Sequence, residues 1–257
     1  MFKQIRILIL LSILLFVALS AWLSQARSTD WNDTLWVAIY PINAEGDRAT
    51  QHYIDTLKPR DFESIERFML RETKRYGAPI AQPVHIELSQ QVDIQPPALP
   101  NRANVFDVVI WSLRARLWAS RASKDKDDLT PDVRLLIRYH QPREFRVLDE
   151  SVGMKKGMFG IVNAFAGRTH TARNNVVIAH EFLHTIGATD KYDPGTNQPL
   201  NPIGLAEPNR RPVFPQRYAE IMGGRIALSP TEAVMPTSLN ETVIGTGTAL
   251  EIRLTRD

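Results

Sequence analysis

The run His180-Glu181-Phe182-Leu183-His184-Thr185-Ile186-Gly187-Ala188-Thr189-Asp190 reads H-E-x-x-H followed by x-x-G-x-x-D. On a helix, residues four apart stand one turn above each other on the same face. The imidazoles of His180 and His184 then lie side by side, placed to bind one zinc ion. Glu181 stands beside them as a general base toward water. A catalytic zinc takes three protein ligands and keeps one position open. Gly187 suits the end of the helix, because glycine reaches positive φ without steric cost. Asp190, three residues on, offers a carboxylate as the third ligand. Asp193, Glu207 and Glu220 are further carboxylates in the same region. The chemistry would be hydrolysis. Zinc lowers the pKa of a bound water toward about 7, and Glu181 would take the proton and pass it to a leaving amine.

These residues resemble the extended motif of the metzincin clan of zinc metalloproteases, H-E-x-x-H-x-x-G-x-x-H, in which some members carry Asp at the last position. The clan also has a methionine on a tight turn beneath the metal. Ala219-Glu220-Ile221-Met222-Gly223-Gly224 is similar to that turn. The resemblance implies zinc as cofactor, with His180, His184 and Asp190 as ligands, Glu181 as base and Met222 as the floor of the site. Upstream, Gly160-Ile161-Val162-Asn163-Ala164-Phe165-Ala166 is similar to the clan's upper-rim edge strand. That likeness implies that Gly160, Ile161, Val162, Asn163 and Ala164 pair with an extended polypeptide substrate, since an exposed edge offers backbone donors and acceptors.

Positioning such a site needs a helix and a sheet to carry it. Residues 34–41 form a buried apolar run that reads as a first strand. Residues 61–76 have helical periodicity through Phe62, Ile65, Phe68 and Met69, stopped by Gly77 and Pro79. Residues 84–94 alternate apolar and polar positions, as a half-exposed strand does. Residues 105–120 read as a second helix, 133–139 as a third strand, and 143–166 as a hairpin-like pair ending in the edge strand. The site helix starts near 172–175 and runs to Ile186. Alternating strands and helices imply an α/β (α+β) fold with a mainly parallel twisted sheet and one antiparallel edge strand. Pro194 to Pro215 holds six prolines, too many for a long helix. It reads as an irregular C-terminal subdomain under the site. A short helix near 231–233 and a terminal strand near 249–254 complete the expectation. The metallopeptidase domain would span 34–257, with an upper subdomain 34–187 and a lower one 188–257.

Composition agrees with one globular domain, 44% hydrophobic and 23% charged. The formal charge is +3, of which Lys3 and Arg6 supply two, so the remainder carries +1 and gives no reason to propose nucleic-acid binding. The absence of cysteine excludes disulfides and thiolate metal sites. Lys3 and Arg6 precede an apolar run from Ile7 to Leu23. That pattern reads as a membrane anchor or a signal peptide, with the small-x-small site Ser24-Gln25-Ala26 beyond it. Positive charge before the run places the N-terminus inside. The domain is then membrane-anchored on the extracytoplasmic side, or exported, after a linker at 27–33. Two other readings fit the same residues: a non-hydrolytic zinc-containing binding or scaffolding domain at the membrane, and a zinc amidase acting on a non-protein amide.

Overall fold

The computed structural model describes Arg6 and residues 29–97, 105–122, 131–143, 148, 151–154 and 158–255. The expected anchor at 7–23 and the site at 24–26 lie outside the described residues. Among those described, no helix is long and apolar enough to cross a membrane.

The protein is a mixed α/β fold around a mainly parallel five-stranded sheet. Its strands are β1 (Leu35–Asn43), β2 (Val84–Leu88), β3 (Val133–His140), β4 (Val152–Met154) and β5 (Phe159–Phe165). The order across the sheet is β2-β1-β3-β5-β4. β1 pairs in parallel with both β2 and β3, and β3 pairs in parallel with β5. Only β4 runs antiparallel, along β5.

Parallel neighbours need crossover connections, and two of the connections are helical. α1 (Arg48–Asp55) and α2 (Glu63–Arg75) connect β1 to β2, and α3 (Val105–Ala122) connects β2 to β3. α1 was not expected. It begins at Asp47, whose side chain accepts from the Thr50 N–H at 2.9 Å, an N-cap that holds a short polar helix in place. Successive strand residues face opposite sides of the sheet. Val37, Ile39, Leu135, Ile137 and Val162 join the core formed with α2 and with α4 (Thr171–Ile186). Ala38, Tyr40, Ile42, Leu136 and Ile161 face Trp111, Ala115 and Ala119 of α3. The sheet is covered on both faces, which is why its central strands read as unbroken apolar runs.

Three expectations are corrected. Gly160, Ile161, Val162, Asn163 and Ala164 do not form the sheet's edge. They lie in β5, between β3 and β4, and the edge is Val152–Met154. The reason is β4 itself, three residues too short to leave a periodic signal. The expected helix near 231–233 is instead β8 (Ala233–Val234), paired antiparallel with β7 (Ile226–Ala227). The expected strand at 249–254 is instead the end of α5 (Thr246–Glu251), in which Thr248 and Ala249 are buried, followed by a turn at 252–254. Both segments are too short for period alone to separate helix from strand.

Residues 194–215 contain no regular helix or strand. β6 (Ala219–Glu220) follows and pairs in parallel with β9 (Thr242–Val243). Between 188 and 255, turns, 3-10 segments, two-residue strands and the short helix α5 form the layer beneath α4.

Candidate metal centre and its cleft

α4 ends where the sequence places its glycine. Gly187 has φ 117°, in the left-handed region that favours glycine. The Gly187 N–H donates to the carbonyls of Leu183 and His184, and the Ala188 N–H donates to that of Leu183 at 3.0 Å. This is a Schellman closure, and it turns the chain back along the helix. Two groups arrive by that turn. The Ala188 carbonyl accepts from His184 Nδ1 at 2.9 Å. Asp190 places Oδ1 3.1 Å from both His180 Nε2 and His184 Nε2.

The two imidazole Nε2 atoms are themselves 3.1 Å apart. His180 Nδ1 faces the Ile221 carbonyl at 2.9 Å. Carbonyls only accept, so each Nδ1 must carry the proton. In the neutral tautomer each Nε2 then presents a lone pair toward Asp190 Oδ1. Three electron-pair donors therefore converge on one point at equal separations. Such an arrangement repels itself unless a cation stands among the three. Ligand atoms about 2.0–2.1 Å from one tetrahedral zinc stand about 3.4 Å apart, close to the observed triangle. The residues present fit a zinc ion.

Without such an ion, protonation is the alternative relief. Burial disfavours a charged His180, but its hydrogen bond to Asp190 and the charge of Glu181 outweigh burial and hold its pKa up. Burial acts on Asp190 in the opposite sense to its hydrogen bonds with His180 and His184. The bonds win, and the carboxyl sits well below the usual carboxylate range.

Glu181 is the second carboxylate at this point. A ligand atom of Glu181 lies within 4.8 Å of those of the two histidines, while Asp190 stands at 3.1 Å from both imidazoles. Glu181 is buried, and its Oε2 has no hydrogen-bond partner. Burial pushes its carboxyl up, against the pull of His180 and His184. A buried carboxylate with an open lone pair beside a candidate metal point has the character of a general base.

The other carboxylates are committed elsewhere. Asp193 Oδ1 accepts from the N–H groups of Gly195 and Thr196, which closes a turn. Glu207 pairs with Arg217. Glu220 is buried and accepts from Gly223 N–H at 2.7 Å, Gly245 N–H at 2.9 Å and Thr248 Oγ1 at 2.7 Å.

Met222 is fully buried in a short 3-10 turn, Ile221–Gly223, closed by Gly224 at φ 71°. Its backbone serves the site directly. The Ile221 carbonyl holds His180, and the Met222 carbonyl accepts from the Lys191 N–H at 2.9 Å. The turn therefore ties the helix and the Asp190 segment together.

Gly153 is a site residue that motif reading does not find. A Cβ there would stand 2.5 Å from both the Glu181 carbonyl oxygen and His184 Cβ. Only glycine lets β4 lie this close across the helix. The Ile221 and Ala188 carbonyls are equally invisible to motif reading, since a backbone acceptor leaves no mark in residue type.

The centre opens into a cleft of about 730 Å³. Its lining includes Gly153 of β4, Asn163 of β5, Val176 and Val177 of α4, and Tyr192 and Gly223 from the segments that follow the helix. Of the substrate residues expected in β5, Asn163 lines this cleft.

No protein-family model and no curated protein matches the chain. Among solved structures it is similar to one described as "Structure of a chaperone-substrate complex", with 11% sequence identity and a TM-score of 0.40. The match covers 86% of this chain and 35% of that one, so the chain spans about a third of that protein's length.

Proposed function

We propose that the protein is a zinc-dependent metallopeptidase of metzincin-like type, membrane-tethered or exported, that hydrolyses polypeptide substrates. The observation that carries this reading is the convergence of His180 Nε2, His184 Nε2 and Asp190 Oδ1 at 3.1 Å from one another, with both Nδ1 atoms held by carbonyls. A bound zinc would supply Lewis acidity toward the scissile carbonyl and acidity to a water. The Ile221 and Ala188 carbonyls fix both imidazoles in the tautomer that ligates, a role that commonly sets metal affinity. Glu181, beside this point and raised by burial, takes the proton from the attacking water and returns it to the leaving amine. The cleft gives room for an extended peptide, and β4 provides the sheet edge along which it can lie.

A purely structural zinc is normally closed by a fourth protein ligand. Here the three converging atoms leave a fourth position open, and the buried Glu181 Oε2 keeps a lone pair free of hydrogen bonds, which favours hydrolysis over a scaffolding role. Glu181→Gln keeps the three ligands and removes the base. It should retain zinc while lowering kcat on a cleaved peptide by about a hundredfold or more. Full activity in that variant would contradict the reading.

A further inference from the structure

We infer that the cleft selects substrates bearing a carboxylate group, which Arg173 and Arg225 of its lining hold. The inference rests on the peptidase reading and names the substrate class for the same site. Both arginines line the cleft. Arg173 is exposed and Arg225 half-buried. Neither forms an ion pair or hydrogen bond among the described residues. The acidic residues in the described lining are Glu181 and Asp190. Asp190 is occupied by the two imidazoles, and Glu181 is buried behind them. Among the described residues, two positive charges in the cleft are thus left for a ligand to neutralise, and guanidinium groups match carboxylates in geometry as well as charge.

Their placement suggests where the carboxylate sits. Arg173, Val177, His180 and His184 follow one face of α4. Arg173 precedes His180 by two turns, about 10 Å along the axis. Arg173 would therefore meet a flanking group of the substrate and not the reacting carbonyl. Arg225 follows the Met222 turn and enters the lining from that segment. The carboxylate can belong to an Asp or Glu side chain or to the end of the peptide.

The test measures binding separately from turnover. Fluorescent peptides carrying Asp or Glu at flanking positions are compared with their Asn or Gln counterparts, each with a free or an amidated C-terminus. Dissociation constants are read by anisotropy on the zinc-loaded 257-residue chain carrying Glu181→Gln. Acidic peptides should bind about five- to tenfold more tightly at low salt, and the advantage should shrink as salt screens it. If the free terminus supplies the carboxylate, amidation of the neutral peptide causes the same loss. Combining Arg173→Gln with Arg225→Gln should erase the preference, and Arg→Lys at both positions should retain part of it. Equal binding of acidic, neutral and amidated peptides overturns the inference. So does a preference that persists in the double Gln variant. Cleavage by the parent chain separates this result from the peptidase reading. Acid-selective binding with no peptide cleaved removes the peptidase reading and keeps the anionic site. Cleavage with no acid preference does the reverse.

Discussion

At the scale of single residues, the site depends on groups that are held rather than merely present. His180 and His184 are fixed at Nδ1 by carbonyls, and Asp190 is brought to both Nε2 atoms by the turn at Gly187. Glu181 keeps its place partly because Gly153 has no side chain. In Gly153→Ala the methyl would meet the Glu181 carbonyl oxygen and His184 Cβ at 2.5 Å. β4 or the helix must then move apart. The variant should lose about 1–3 kcal/mol of stability, and should lose hydrolysis more steeply than Gly167→Ala, where a Cβ would meet its nearest neighbour at 3.1 Å. Urea melts and peptide turnover on both variants check this, and an active, equally stable Gly153→Ala would contradict it. The histidines, Glu181 and Asp190 were legible in the sequence because their chemistry and spacing belong to residue type. Gly153 was not, because its role depends on a strand that crosses the helix from a distant part of the chain.

At the scale of elements, the turn after β6 is braced from below by one carboxylate. Glu220 binds the Gly223 amide of the turn, the Gly245 amide and the Thr248 hydroxyl at the start of α5. Burial pushes its carboxyl up, while the three donors favour the ionised form. Glu220→Gln replaces one acceptor oxygen with a donor facing an N–H. That leaves a buried pair unsatisfied, at a cost of about 1–3 kcal/mol. The Ile221 carbonyl that orients His180 belongs to the same turn, so zinc affinity should fall about tenfold as well. A metal-buffer titration with a parallel melt would show both effects, and an unchanged affinity would separate the brace from the site. The strands β1 and β3 and helices α2 and α4 were legible in the sequence because each repeats its pattern over several turns or pleats. β4, β8 and α5 were not. Each is six residues or shorter, and its conformation is set by the partner it packs on.

At the scale of the whole molecule, the C-terminal end closes back on the site. Lys191, buried next to Asp190, reaches Glu251 of α5 at 2.7 Å, and Glu251 also accepts from the Thr189 N–H at 2.9 Å. Burial pushes Glu251 up, but Lys191 and the Thr189 donors outweigh it and hold the carboxyl below its ordinary range. A lowered acid stabilises the fold above its unfolded pKa and loses that contribution as pH falls through the folded value. Glu251→Gln should therefore cost about 1–3 kcal/mol at pH 7, because buried Lys191 loses its carboxylate partner and keeps the Thr189 carbonyl at 3.0 Å. Its deficit relative to the parent should narrow as pH drops below about 4. Denaturant melts at pH 7 and pH 3.5 read the difference, and a deficit that is independent of pH would contradict the pairing. Sequence order alone foreshadowed the mainly parallel sheet and an irregular layer beneath the site helix. The clasp between 189–191 and 251 could not be read, because two residues sixty positions apart carry no shared pattern.

Zinc content per chain, by elemental mass spectrometry on the parent and on Asp190→Ala, tests the central claim most directly. One zinc per folded parent chain, lost or greatly reduced in the variant, is the result this account predicts. A folded parent that takes up no zinc even when it is supplied would contradict the account. The convergence of His180, His184 and Asp190 would then be held by protons alone.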